Sequence, residues 1–149
     1  MPKKPEIKSA EIKVDAKEGN LGLIRKFIGD NMKGTGFPRK KISALAVSIT
    51  EHCENLIRHA YTGKTGKVAL KLELKYPAAK ITAQDAGPRF DMMEQKIPDT
   101  SQRLKKGLGG KMGIKTILAL CDEVEYKRLC GRNENTFIVR AKSPGKGTE

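Results

Sequence analysis

The chain has 149 residues, enough for one domain with its own core, and its 30 Lys+Arg against 17 Asp+Glu leave a net charge of +13. This length removes the need for a disulfide framework, and the apolar runs fall short of the roughly 20 residues that span a bilayer. The charge predicts attraction to polyanions, but three Tyr and four Phe are poor material for a base-stacking platform, so nucleic-acid binding is not favoured.

Residues 1–9 (MPKKPEIKS) read as a flexible basic lead-in without the apolar core of a signal peptide, and the expected location is cytoplasmic. Ala10 to Ala16 alternates Ile12 and Val14 against Lys13 and Asp15, as an edge strand does. Asn20 to Met32 carries Leu21, Ile24, Phe27 and Ile28 at helical spacing. Lys33 to Pro38 is a loop, and Pro38 is placed to lead into a second helix.

That second helix, Lys40 to Tyr61, is the most informative stretch. Ile42, Leu45, Ala46, Ile49, Cys53, Leu56, Ile57 and Ala60 make an apolar face. Glu51, Asn55, Arg58 and His59 share the other side at i, i+3 and i+4 spacing. A solvated face explains such a stripe as well as a site does. His52, Cys53 and His59 point to different sides of the helix, which argues against a zinc site.

Thr62 to Lys67 is a turn, Val68 to Tyr76 an alternating half-buried strand, Pro77 to Ala79 a hairpin turn and Lys80 to Gln84 the return strand. The return ends in Asp85-Ala86-Gly87, by itself a commonplace turn. No period holds from Pro88 to Lys106, which suggests a mobile lid. Gly107 to Gly113 places four glycines before an apolar helix, Ile114 to Cys121, an arrangement suited to holding an anion or to hinging. Val124 to Arg128 and Thr136 to Ala141 are strands joined by a turn at Gly131-Arg132-Asn133, and residues 143–149 form a disordered tail. Without βαβ alternation the pattern indicates α+β: a mixed or antiparallel sheet with helices on one face. The other sheet face must be solvated or docked, which leaves room for a homodimer.

Glu51 and Asn55 on a long helix, then Asp85-Ala86-Gly87 after a hairpin, then a glycine cluster opening a helix: this ordered set, with His59-Ala60-Tyr61 and Asp122-Glu123-Val124, resembles the GHKL ATPases of the Bergerat fold. Within them it is most similar to the anti-sigma factor serine/threonine kinases of bacterial partner switching. The resemblance runs from about residue 10 to 142. It implies a two-layer sandwich with an ATP lid, ATP and Mg²⁺ as cofactors, and a histidine kinase-like ATP-binding domain over 10–142. It also implies a STAS-type antagonist protein as phosphate acceptor and a sigma factor as a further partner.

By the same resemblance Glu51 matches the general base, and Asn55 the nucleotide-site residue that holds the metal. Asp85 matches the carboxylate that reads the adenine amine, with Gly87 letting the base approach. Gly109, Gly110, Lys111 and Gly113 fall in the phosphate loop, and Thr136 where a hydroxyl often lies near adenine. Two positions depart from the family pattern: Arg89 replaces the second glycine of Asp-x-Gly-x-Gly, and Lys111 the central glycine of the phosphate loop. The rival readings are a nucleotide-sensing regulator without phosphotransfer and a basic polyanion-binding protein whose glycine cluster is only a hinge.

Overall fold

The computed structural model describes residues 7–61, 66–94 and 109–142, with the backbone alone at 109–112. The expected lid core at 95–106, most of the turn at 62–67 and the two terminal segments lie outside the described residues.

Five strands, β1 (Lys8–Asp15), β2 (Lys67–Lys75), β3 (Ala78–Asp85), β4 (Glu123–Leu129) and β5 (Arg132–Arg140), form one sheet in the order β1-β2-β3-β5-β4. All four pairings are antiparallel. Among the described residues three α-helices, α1 (Leu21–Met32), α2 (Arg39–Asn55) and α3 (Gly109–Leu120), cover one side.

Period-two alternation decides which side. Val68, Leu70, Leu72 and Leu74 of β2, Ala79, Ile81 and Ala83 of β3, and Phe137 and Val139 of β5 are buried under the helices. α1 contributes Leu21, Ile24, Ile28 and Met32, and α2 contributes Leu45, Ile49 and Cys53. Each large side chain removed from water is worth about 1.5–3 kcal/mol, so this shared core holds the two layers together. At the far end of α2, Lys41 pairs with Asp122 at 3.3 Å, and Asp122 also accepts from the Arg140 amide at 2.6 Å.

The outer face of the sheet carries Lys13, Lys71, Lys80 and Lys127 against Glu11, Glu73, Glu125 and Glu134. Within the concavity of this face four lysines and four glutamates cancel, so the net charge of +13 is not concentrated there. That balance is what keeps an uncovered sheet face soluble.

Several boundaries correct the sequence expectations. The β2–β3 turn is only Tyr76-Pro77, with a cis peptide between them, so Ala78 and Ala79 belong to β3. The last hairpin turns at Cys130-Gly131, both at positive φ (51° and 74°), and not at Gly131-Arg132-Asn133. Two left-handed residues match the twist of the flanking strands, so β5 starts at Arg132 and takes Asn133 into the sheet. The last helix begins at Gly109, so Gly109, Gly110 and Gly113 are helical and do not form a loop ahead of Ile114. α2 ends at Asn55 and continues as a wider π-type turn, Leu56–Ala60.

Candidate nucleotide site

The end of α2, the C-terminal end of β3 and the first residues of β5 meet at one cavity. It is lined by His52, Asn55, Leu56, His59, Ala60, Asp85, Pro88, Arg89, Phe90, Asn133 and Asn135. The π-type turn helps to line it: π turns recur at functional sites, and here Asn55, Leu56, His59 and Ala60 all reach the cavity.

The polar groups of this cavity are unusual. His52, Asn55, Asp85 and Asn135 are all buried, and His52 Nε2, Asn55 Nδ2, Asp85 Oδ2 and Asn135 Oδ1 have no hydrogen-bond partner among the described residues. Each such group costs about 1–3 kcal/mol if left unmet, and natural interiors hold few of them. Four around one cavity mark a place built for a polar ligand. The larger concavity on the outer sheet face is broad, open and charge-balanced, and has none of these orphaned atoms.

Asp85 is tightly held on one side only. Its Oδ1 accepts from the Gly87 amide at 2.9 Å and from Asn133 Nδ2 at 3.0 Å, which leaves Oδ2 as an acceptor. A Cβ on Gly87 would come to 3.0 Å from both Ala60 Cβ and Asp85 Oδ1, so a larger residue in this turn would have to displace one of them. Burial pushes the His52 imidazole down to about 4, against a weaker upward pull from Asp85, so His52 is neutral near pH 7. Its ring lies 5.4 Å from that of Phe137. Burial also drives the Cys53 thiol to about 12, with Asp85 and Glu54 adding to the effect, and so keeps it unreactive.

Glu51 lies one helical turn before Asn55, half-buried, with its carboxylate against Gly113 of α3: a Cβ at 113 would stand 2.5 Å from Oε2. Partial burial, then the Glu54 charge, raises its carboxyl above the usual range, and Arg58 opposes this. A carboxylate that holds a proton more readily suits a general base.

The structure therefore brings Asn55 and Asp85 together at the cavity, with Gly87 in the turn that holds Asp85, and sets Glu51 against Gly113, one turn along α2. Gly109, Gly110 and Lys111 form the first turn of α3. Thr136 is not with them. It pairs with Thr82 and Glu125 on the outer face of the sheet, because even-numbered residues of β5 point away from the helices. The expectation of a Thr136 hydroxyl near a base is corrected accordingly. The inward positions are Asn133 and Asn135, which the misplaced hairpin turn concealed; the inward period of Phe137 and Val139, run backwards, points to both. The sequence weighs His52 only as a metal ligand; the structure places it, buried, in the cavity wall.

The adenine amine, a donor, fits the bare acceptor Asp85 Oδ2. Asn55 is buried at the cavity wall with Nδ2, a donor, unpartnered, which fits a phosphate oxygen; a metal between phosphates would take its side-chain oxygen instead.

Residues 14–141 match the family described as "Histidine kinase-like ATPase domain". A protein of Bacillus pumilus named "Serine-protein kinase RsbW" is 30% identical over 129 residues, which cover 81% of this chain and 79% of that one. The Bacillus subtilis protein of the same name is 27% identical over 127 residues, with the same coverage. A Mycobacterium tuberculosis crystal structure of "RsbU and RsbW domains" superposes with a TM-score of 0.64 at 17% identity, over 93% of this chain and 34% of that longer one, and so shares the fold. Among the described residues no helix is long and apolar enough to cross a membrane. With its match running from Val14 to Ala141, the chain belongs to the histidine kinase-like ATPase domain family, the GHKL group that binds ATP.

Proposed function

We propose that this protein is an anti-sigma factor-like serine/threonine kinase that uses Mg-ATP to phosphorylate a small STAS-type antagonist, and that it also binds a sigma factor. The observation that carries the reading is the ring of buried, unpartnered polar atoms from His52, Asn55, Asp85 and Asn135 around one cavity, with Glu51 one turn away. The names of its Bacillus relatives support the class of activity.

In this reading Asp85 Oδ2 accepts a hydrogen bond from the 6-amino group of adenine, and Gly87 gives the base room. Asn55 would hold Mg²⁺ through its side-chain oxygen, and the bound ion would neutralise phosphate charge. The first turn of α3, with Gly109, Gly110 and Lys111, presents backbone N–H groups and the positive end of the helix dipole to the phosphates. Glu51 takes the proton of the acceptor hydroxyl as its oxygen bonds to the γ-phosphorus and the bond to the β-phosphate oxygen breaks, releasing ADP.

The test has two arms. Mg-ATP should raise the melting temperature of the wild type, and Asp85→Asn should abolish the shift. Glu51→Gln should keep the shift and lose transfer to the antagonist. A wild type with no Mg-ATP shift sinks the proposal, and ATP binding with no transfer to any STAS-type protein replaces it with a nucleotide-sensing regulator.

A further inference from the structure

The two oxygens of Asp85 are treated differently: Oδ1 accepts from the Gly87 amide at 2.9 Å and from the Asn133 side chain at 3.0 Å, and Asn133 is the side-chain half of that hold. Asp85 and Asn133 face each other in the β3–β5 register, and both are almost completely buried. Asn133 Nδ2 donates to Asp85 Oδ1 at 3.0 Å, to the Pro88 carbonyl at 2.8 Å and, more weakly, to the Gly87 carbonyl at 3.4 Å. Its Oδ1 accepts from Tyr126 Oη at 2.6 Å, Arg128 Nη1 at 3.1 Å and the Phe90 amide at 3.4 Å.

The neighbours fix which way the amide points. Arg128 and the Phe90 N–H can only donate, so the Asn133 atom facing them is its oxygen. The NH₂ end must then face Asp85. Arg128 also donates to the Gly87 carbonyl at 2.8 Å, tying the same turn from the edge strand.

We propose that Asn133 is a positioning residue for base selectivity: by holding Asp85 Oδ1, it leaves Oδ2 as a single, fixed acceptor and so selects 6-amino over 6-oxo purine nucleotides. This rests on reading the cavity as the adenine site. A 6-amino group donates directly to Oδ2. A 6-oxo group meets it with a second acceptor, and the N1–H that could donate sits elsewhere on the ring. A carboxylate free to rotate could swing to meet that N1–H. One locked at Oδ1 cannot.

Affinities of the full chain for Mg-ATP and Mg-ITP test this, because the two nucleotides differ only at the 6-position and its N1 proton. Wild type should prefer ATP. Asn133→Ala should weaken ATP binding and reduce the ATP-over-ITP ratio by about tenfold or more, the scale of one hydrogen bond to a charged group. Equal weakening of both nucleotides, with the ratio kept, means that Asn133 supports the fold alone and overturns the proposal. If Asn133→Ala does not fold, Tyr126→Phe decides. It removes only the 2.6 Å bond to Asn133 Oδ1 from a half-buried edge position, and should lower the ratio by a smaller factor. An unchanged ratio there also overturns it. Wild type that binds neither nucleotide is a separate result: it refutes the adenine reading itself.

Discussion

Gly113 of α3 lies directly against the carboxylate of Glu51 on α2, with no room for a methyl group between them. The obstacle is the far end of a flexible side chain, so Glu51 can rotate aside at little cost. An alanine inside a helix is worth about 1 kcal/mol over glycine. Gly113→Ala should therefore fold at least as well as wild type and bind Mg-ATP within about threefold, yet lose much of the roughly 10²–10⁴-fold that a placed general base supplies. Parallel melting, nucleotide titration and phosphotransfer assays check this; full transfer activity would remove Glu51 from the base role.

His52 makes the protein acid-sensitive in a defined window. In the unfolded chain it takes up a proton near pH 6.5, but in the fold only near pH 4, because burial disfavours the cation. Between those values the unfolded state binds more protons, so stability falls as pH drops from about 6.5 toward 4. At 1.36 kcal/mol per unit, the loss is on the order of 3 kcal/mol. Denaturant titrations at pH 7 and 4.5 should show it, and His52→Gln should lose distinctly less over the same interval.

Thr136→Val should leave the affinity for Mg-ATP within about twofold of wild type, since its side chain is on the sheet face away from the cavity. Asn135→Leu, one residue earlier and facing inward, should weaken it at least about fivefold by removing a buried polar group from the wall. A large loss from Thr136→Val would return the hydroxyl to the site.

How much of this was legible in the sequence follows from what each element depends on. Leu70, Leu72 and Leu74 alternate with Lys71 and Glu73, and that period alone gave the buried face of β2. Asp85 and Asn55 stand out in the sequence because their chemistry and order are distinctive, and both line the cavity. Asn133 and Asn135 do not, because their role depends on where the hairpin turns. Cys130 adopts a left-handed conformation that its residue type does not advertise, whereas Gly131-Arg132-Asn133 looks like a turn. His52 enters the sequence reading only as an unlikely zinc ligand, because one imidazole on a helix carries no sign of which neighbour it faces. The start of α3 at Gly109 goes against glycine's low helix propensity, which points the eye to a loop.

The same turn offers a stability handle. Cys130 is the only non-glycine residue at positive φ among the described residues (51°), a conformation that costs an L-residue about 1 kcal/mol or more. Cys130→Gly should relieve this and raise the melting temperature by a few degrees, with nucleotide affinity unchanged. A lower melting temperature would show that the thiol makes a stabilising contact outweighing the backbone term.

The pairing of Asp85 with Asn133 also joins two strands that are distant in the chain but adjacent in the middle of the sheet. A shift of one residue between β3 and β5 would point Gln84 or Glu134 into the cavity and turn the acceptor outward. The carboxylate proposed to read the base therefore faces the cavity only once the central β3–β5 ladder has closed in register. Ligand binding and cooperative folding are then linked through one event, so a saturating nucleotide should slow amide exchange across the whole sheet and not only around its own contacts.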